Sequence, residues 1–359
     1  MRKDCVGVLI KDEKLMKLLI ADTKFPVGHR NLNKHLLYIL LRLKNIDALK
    51  VFNSHGFYDK KIGDRVRYYN IFIFKSKKAY WDYCCQFLTA LVVIWRCFFI
   101  RYDKVVFFTF DTLAFSFLRL GILKPVYLFH HNNTDHLQNK YKLFFFKTYM
   151  NRVNHIVFAD FIKDYLIRLG VDEKRVFILS HPLPEIPPAI KVTKKKYIAL
   201  GHANDEKLIC ELIEYEEQTH ILENNDIQLV IRTEVNHEKL PSSLILINHY
   251  LSQEEYEYYY STANGVLILY PVHFKNRFSG ALLDAFCNRK IVIGKEDVPV
   301  VNYFLGKYPK CCITFQKVKD LFDKLSVLDI NTFDEQTFDS FLQVHSDEVI
   351  RRQLDEILF

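Results

Sequence analysis

Along most of this chain, short continuous apolar runs alternate with segments whose apolar residues recur at helical spacing. Lys17-Leu18-Leu19-Ile20-Ala21 reads as a strand, and Leu32 to Leu43 carries apolar residues every three or four positions, as a helix does. Ala48 to Phe52 and Tyr69 to Phe74 are further short strands, and Lys104 to Phe110 follows an amphipathic helix over 79–101. After a short helix, Val126 to Phe129 forms a strand ending at His130-His131-Asn132-Asn133. A helix from about 136 to 152, a strand from His155 to Ala159, a helix over 161–169 and a strand from Val176 to Leu179 complete this half. His181 to Pro188 then holds four of the ten prolines, enough to stop any regular element. Lys196 to Leu200 restarts the rhythm, with strands near 228–232, 244–248, 265–270 and 290–293, before a helical, amphipathic tail from Asp334 to Phe359.

Apolar strands separated by helices predict parallel sheets covered on both faces. The expected architecture is α/β: two doubly wound domains joined by the proline-rich hinge. Ligands in such sheets sit at the carboxyl ends of the strands, and a cleft between two such domains is the natural active site.

Composition narrows the class. At 359 residues the chain is long enough for two cores, and 50% hydrophobic with 26% charged residues is a globular profile. The N-terminal Met1-Arg2-Lys3-Asp4 does not open a signal peptide. The longest apolar run, Phe87 to Trp95, reaches Ile100 only by crossing Arg96, too short to span a bilayer and therefore read as a buried helix. The eight cysteines form no C-x-x-C pair, which argues against zinc or a secreted disulfide framework and for a reduced, cytoplasmic setting. Residues 1–180 hold 31 Lys and Arg against 15 Asp and Glu, whereas the remainder is acidic by eight. A basic half facing an anionic partner is expected, with nucleic acid, an anionic membrane leaflet and a pyrophosphate-linked acceptor as candidates, against a generally basic surface with no partner. Lys140 to Tyr149 interleaves cations with aromatics, which suits peripheral contact with an anionic membrane at its cytoplasmic face, or one buried helix face with a basic edge. No reading motif for nucleic acid accompanies the basic charge.

Chemistry concentrates in a few loops. Asn276-Arg277-Phe278-Ser279-Gly280-Ala281-Leu282-Leu283-Asp284 follows a strand and opens an apolar helix, so its backbone N–H groups and helix N-terminus suit a phosphate. Gly201-His202-Ala203-Asn204-Asp205-Glu206-Lys207 follows another strand, and Leu251-Ser252-Gln253-Glu254-Glu255 precedes a tyrosine-rich stretch. Phe158-Ala159-Asp160 leads through Gly170 to Arg175 to Pro182.

In order and spacing these segments resemble GT-B glycosyltransferases, in particular retaining family 4. The 276–284 segment is similar to that family's E-x7-E segment with Asn and Asp in place of the glutamates. The 201–207 segment is similar to its G-R-x-x-x-E-K loop with His for Arg. The resemblance implies two Rossmann-like domains facing each other across a cleft: residues 1–183 on the acceptor side and 184–339 binding the nucleotide-sugar, with the helix of about 340–359 packing back on the first. It further implies sugar transfer from a nucleotide-sugar to a saccharide or lipid-linked acceptor, with retention, in surface polysaccharide or glycoconjugate assembly. No D-x-D motif is present and no cofactor is implied, so transfer without a metal is expected.

Carried over residue by residue, the resemblance places His131 and Asn276 at the reaction centre. Asn276 is there for positioning only, since an amide cannot serve as a general base. His202, Lys207, Arg232, Leu251, Arg277, Phe278, Ser279, Gly280 and Asp284 fall on the donor side, and His130 and Asn132 on the acceptor side. Lys207 is the best candidate for a phosphate contact, and Arg277 restores the charge missing at position 202 if its side chain turns inward. Phe278 is more a packing anchor beneath the loop. The altered positions also fit a degenerate, non-catalytic sugar-nucleotide-binding partner, and a nucleotide-sugar epimerase can share the fold.

Overall fold

The computed structural model describes residues 15–22, 30–54, 58, 63–71, 79–118, 121–184, 195–329 and 334–359, and among these residues thirteen short, mostly apolar strands build two sheets. Met1 to Asp4, Cys5, positions 72–74 of one expected strand and 185–188 of the proline-rich segment lie outside these residues. The chain divides into two compact units, one of Met1–Phe129, Tyr141–Ile156 and Leu354–Phe359, the other of His130–Lys140 and Val157–Gln353.

The first sheet contains β1 (Met16–Asp22), β2 (Ile46–Ser54), β3 (Val66–Ile71), β4 (Lys104–Thr109), β5 (Val126–Phe129), β6 (Asn154–Val157) and β7 (Val176–Ile178), in the order β3-β2-β1-β4-β5-β6-β7. Pairing from β3 through β6 is parallel. Leu18, Leu19, Ile20 and Ala21 are all fully buried, so β1 is covered on both faces, as its unbroken apolar run requires. The final residues belong to this unit: Lys104 Nζ donates to the Leu358 carbonyl and lies near the Phe359 and Tyr127 rings.

The second sheet contains β8 (Lys195–Ala199), β9 (Ile227–Arg232), β10 (Leu244–Ile247), β11 (Gly265–Ile268), β12 (Ile291–Lys295) and β13 (Cys312–Phe315). Its order is β10-β9-β8-β11-β12-β13, parallel throughout. The chain runs outward from β8, returns, and runs outward again from β11, which makes the β8–β11 seam the topological switch point. Alternation sends successive residues to opposite apolar layers. Ile198, Val230, Val266 and Val292 enter one core, and Tyr197, Leu229, Leu267 and Ile293 enter the other.

Three expectations change in detail. The strand β13 was not anticipated, because Cys312-Ile313-Thr314-Phe315 is too short to show a period. The single helix over 136–152 is three pieces, a 3-10 turn Asp135–Gln138, a helix Lys140–Lys147 and a second turn Met150–Arg152, separated by the extended Asn139 and the non-helical Tyr149. The tail is two helices, Glu335–Val344 and Asp347–Leu358, parted at His345, whose ring packs on Phe341 and whose Nδ1 bonds the His181 carbonyl at 2.9 Å.

Gly265 opens β11 where three strands meet. A Cβ there would lie 2.7 Å from Ile291 Cγ1, 3.0 Å from the Tyr197 ring and 3.2 Å from the Ile291 carbonyl oxygen. Overpacking of this kind costs about 1–3 kcal/mol. Gly265→Ala is therefore expected to lower the free energy of unfolding, read from urea denaturation, by an amount in that range, and an unchanged value would show that the seam is looser than its geometry.

Candidate donor site

Because all six strands of the second sheet are parallel, the loops after β8, β9, β10 and β11 emerge at one edge, and the donor-side residues expected from the sequence lie on these loops, at the end of β9 (Arg232), or near the start of the helices that follow (Lys207, Gly280 and Asp284). The loops after β8 and β11 are joined by Tyr270. Its hydroxyl pairs with Ser279 Oγ at 2.8 Å, and its ring edge would stand 3.3 Å from a Cβ at Gly201. Glycine at 201 lets the two loops approach this closely. Asn204 ties in a third loop, donating from Nδ2 to the Ala199 carbonyl at 2.8 Å and the Arg232 carbonyl at 3.0 Å.

Charge at this edge comes from Arg232, at the end of β9. Its Nη1 donates to His202 Nε2 at 2.9 Å, and its guanidinium lies 5.0 Å from the Tyr250 ring centroid. Burial, and then the Arg232 charge, push the His202 pKa below its ordinary value, so the imidazole is a neutral acceptor and the arginine the cation. Lys207 is exposed in the first turn of helix Glu206–Thr219, whose N-cap Asp205 accepts from the Lys207 N–H at 3.1 Å.

The 276–284 loop is held from its far side. Asp135 Oδ1 accepts from the Lys275 N–H at 3.2 Å and the Asn276 N–H at 3.1 Å, while Thr134 Oγ1 donates to the Asn276 carbonyl. Asp135 Oδ2 lies 3.3 Å from Arg277 Nε, an ion pair without hydrogen-bond alignment, and the Arg277 guanidinium stacks 3.9 Å over the Phe274 ring. Phe274 in turn stacks on Tyr270, with centroids 4.1 Å apart. Arg277 thus points into protein, against a carboxylate. All these residues belong to the second unit.

Phe278 is half-buried among aromatic rings, stacked on His181 at 5.9 Å and 5.6 Å from Phe304. Ser279 caps helix Gly280–Cys287 by accepting from the Leu282 N–H at 3.2 Å. A Cβ on Gly280 would meet nothing within 4 Å, so the start of this helix opens onto free space. One turn further on, Asp284 accepts a hydrogen bond from the Tyr256 hydroxyl. The Leu251 side chain is buried in the core cluster that also holds Ile247 and Tyr260. His130 and His131 are buried after β5, His131 with its ring 5.5 Å from Phe158, and Asn132 is half-buried.

Sequence reasoning missed Asp135, Asn204, Tyr256 and Tyr270. Each acts on a partner far along the chain, 141 residues away for Asp135 and Asn276 and 28 for Tyr256 and Asp284, and local pattern carries no sign of it. Among the described residues no three His, Cys, Asp or Glu side chains gather as a metal-holding group.

Burial, opposed by the Tyr256 bond, pushes the Asp284 carboxyl up from 3.8 to about 6. The folded protein therefore holds this proton more tightly than the unfolded chain. The resulting stability is complete below the unfolded value and lost as pH rises through the folded one. Asp284→Asn is expected to flatten the fall in unfolding free energy between about pH 4 and about pH 7. Asp22, raised to about 6 by burial in the first unit, stays in the variant and leaves a residual slope. Identical pH profiles for the two proteins would place the proton elsewhere.

Scanned against protein-family models and against curated protein sequences, the chain matches none. Solved structures match along nearly its whole length. The lipopolysaccharide outer core galactosyltransferase WaaB in its apo form is 13% identical with a TM-score of 0.61, over 96% of this chain and 99% of that one. Anabaena HepE in complex with UDP and glucose is 9% identical with a TM-score of 0.63, over 96% and 99%. Arabidopsis thaliana UGT89C1 complexed with quercetin is 11% identical with a TM-score of 0.62, over 96% and 98%. With its two parallel, doubly wound sheets, this chain has the GT-B glycosyltransferase fold.

Proposed function

We propose that this protein is a glycosyltransferase that moves a sugar from a nucleotide-sugar donor to a saccharide or lipid-linked acceptor. The observation that carries this reading is the convergence at one sheet edge of the Arg232–His202 pair, the Gly201–Tyr270–Ser279 contact and the open N-terminus of helix Gly280–Cys287. When the sugar–phosphate bond breaks, negative charge grows on the departing diphosphate. A cation, backbone donors and a helix N-terminus stabilise that charge where it develops. Arg232 and the exposed Lys207 are the cations in this reading, and Asp284 with the Leu251 backbone faces the nucleoside. Asn276 positions the donor sugar, with His131 at the reaction centre and His130 and Asn132 toward the acceptor.

The same reading carries the finer family 4 expectations: retention of configuration, no metal requirement, and a role in surface polysaccharide or glycoconjugate assembly. It keeps residues 1–183 as the acceptor-side domain and 184–339 as the donor domain. It also places the protein at the cytoplasmic face of the membrane, in contact with anionic lipid through the basic 140–149 segment. UDP is the first nucleotide to test, since the HepE structure holds it. A second reading, a sugar-nucleotide-binding partner without turnover, draws on Arg277, whose charge is offset by Asp135.

Lys207→Ala and Arg232→Ala are each expected to weaken UDP binding about tenfold or more while changing uridine binding little, the loss of one charged phosphate contact. Calorimetric titration of both ligands checks this, and equal losses for the two would remove these residues from the phosphate site. His131→Ala is expected to cut donor turnover by about a hundredfold with UDP affinity retained, as for a group acting at the reaction centre. Unchanged turnover rejects that role, and UDP binding without turnover by the unaltered protein across an acceptor panel selects the second reading.

A further inference from the structure

Helix Ala79–Phe99 is apolar on two opposite faces, and only one of them is covered. Gln86, Ala90, Val93 and Cys97 point inward and are buried. Leu88, Leu91, Trp95, Phe98 and Phe99 recur at three- and four-residue spacing along the other face and are 46%, 44%, 58%, 66% and 72% exposed. A water-facing helix ordinarily carries polar residues on that side. A continuous apolar stripe there marks an interaction surface. Among the described residues no helix is long and apolar enough to cross a membrane.

The stripe continues beyond the helix. Phe87 meets Phe117 at 5.5 Å, Phe117 meets Phe145 at 6.0 Å, and Phe145 meets Phe144 at 5.4 Å. Phe117 and Phe144 are 46% and 66% exposed, so the row leads over the surface to helix Lys140–Lys147. All of it lies in the first unit. Residues 83–102, 112–129 and 141–156 contain no Asp or Glu, with Asp82 (in the first turn of the helix), Asp103 and Asp111 at their borders, while Arg96, Arg101, Lys124, Lys142 and Lys147 lie within them. At the C-terminal end of the stripe, a cavity of about 300 Å³ is lined by Tyr69, Trp95, Arg96, Phe99 and Ile100. It offers aromatic walls and one guanidinium.

We propose that this surface docks on an anionic lipid bilayer, with the exposed face of helix Ala79–Phe99 lying in the interface and Arg96 meeting lipid phosphate at the mouth of the cavity. Aromatic rings seated among headgroups and cations paired with phosphate are the two halves of interfacial binding. A second copy fits less well, because it would bring Arg96, Arg101 and Lys142 against the same cations of its mate. The inference deepens the lipid contact proposed above for the 140–149 segment, and rests on it, by assigning the apolar anchor.

Flotation with vesicles of phosphatidylcholine alone, and with about one-third phosphatidylglycerol, tests the proposal. The full chain is expected to float with the anionic vesicles only. Trp95→Ser combined with Phe98→Ser and Phe99→Ser is expected to lose about tenfold or more of that binding. Phe99→Ser alone should lose part of it, with melting temperature and the UDP-induced thermal shift unchanged in both variants. If the triple variant floats like the parent while Lys142→Glu with Lys147→Glu does not, the basic segment binds alone and the apolar anchor is overturned. Absence of flotation in the parent overturns both lipid readings. Equal flotation with neutral vesicles overturns the charge complementarity. A parent dimer by light scattering that the triple variant converts to monomer, without flotation, assigns the face to a second copy instead.

Discussion

The carboxylate of Asp135 determines the shape of the loop on which the candidate donor site is built. It accepts the Lys275 and Asn276 N–H groups, faces the Arg277 guanidinium, and takes a 2.7 Å bond from Gln138 Nε2, with 9% of its side chain exposed. Charge-assisted bonds in a partly dehydrated setting are stronger than neutral ones. Removing one partner of a buried ion pair costs about 3–5 kcal/mol, because the other charge is left uncompensated. With the loop fixed, Phe274 stacks between Tyr270 and Arg277, Tyr270 reaches Ser279, and Ser279 caps the helix that carries Asp284.

The same pairing decides where positive charge is available. Arg277 lies within the expected phosphate loop, yet Asp135 balances it and Phe274 covers it. Arg232 lies on a different strand, and the neutral His202 orients it without cancelling its charge. The loop after β8 and the end of β9 thus contribute a histidine–arginine pair. The pair supplies one delocalised cation at the sheet edge, a form suited to planar recognition of phosphate oxygens.

Much of the fold was legible because the hydrophobic pattern is local. Val126 to Phe129, Lys196 to Ala199 and Ile291 to Ile293 read as strands from their own side chains, and the structure places strands there. The pattern failed where an element was short, as in β13, or where a tertiary contact interrupted a helix, as at His345. In the site, the loops at 201–207 and 276–284 were legible because small residues between a strand and a helix leave a local mark. Tyr256, Tyr270, Asn204 and Asp135 were not, since each looks like an ordinary core aromatic or loop polar residue until its partner is known.

The sequence by itself determined the succession of strands and helices, the two-sheet α/β organisation and the loops of the candidate site, because periodicity and turn chemistry act within a few residues. Tertiary structure decided which strands became neighbours, and with that which polar groups met. Once β11 lies beside β8 rather than β10, Tyr270 stands against Gly201, while Arg232 reaches His202 across 30 residues of chain. It also decided which apolar surface stayed in water. The run from Phe87 to Trp95 reads as a helix to bury, but a helix against a sheet presents only one face to it, so Leu88, Leu91 and Trp95 remain outside. Composition records how much apolar surface a chain has, and packing geometry alone determines how much of it finds cover.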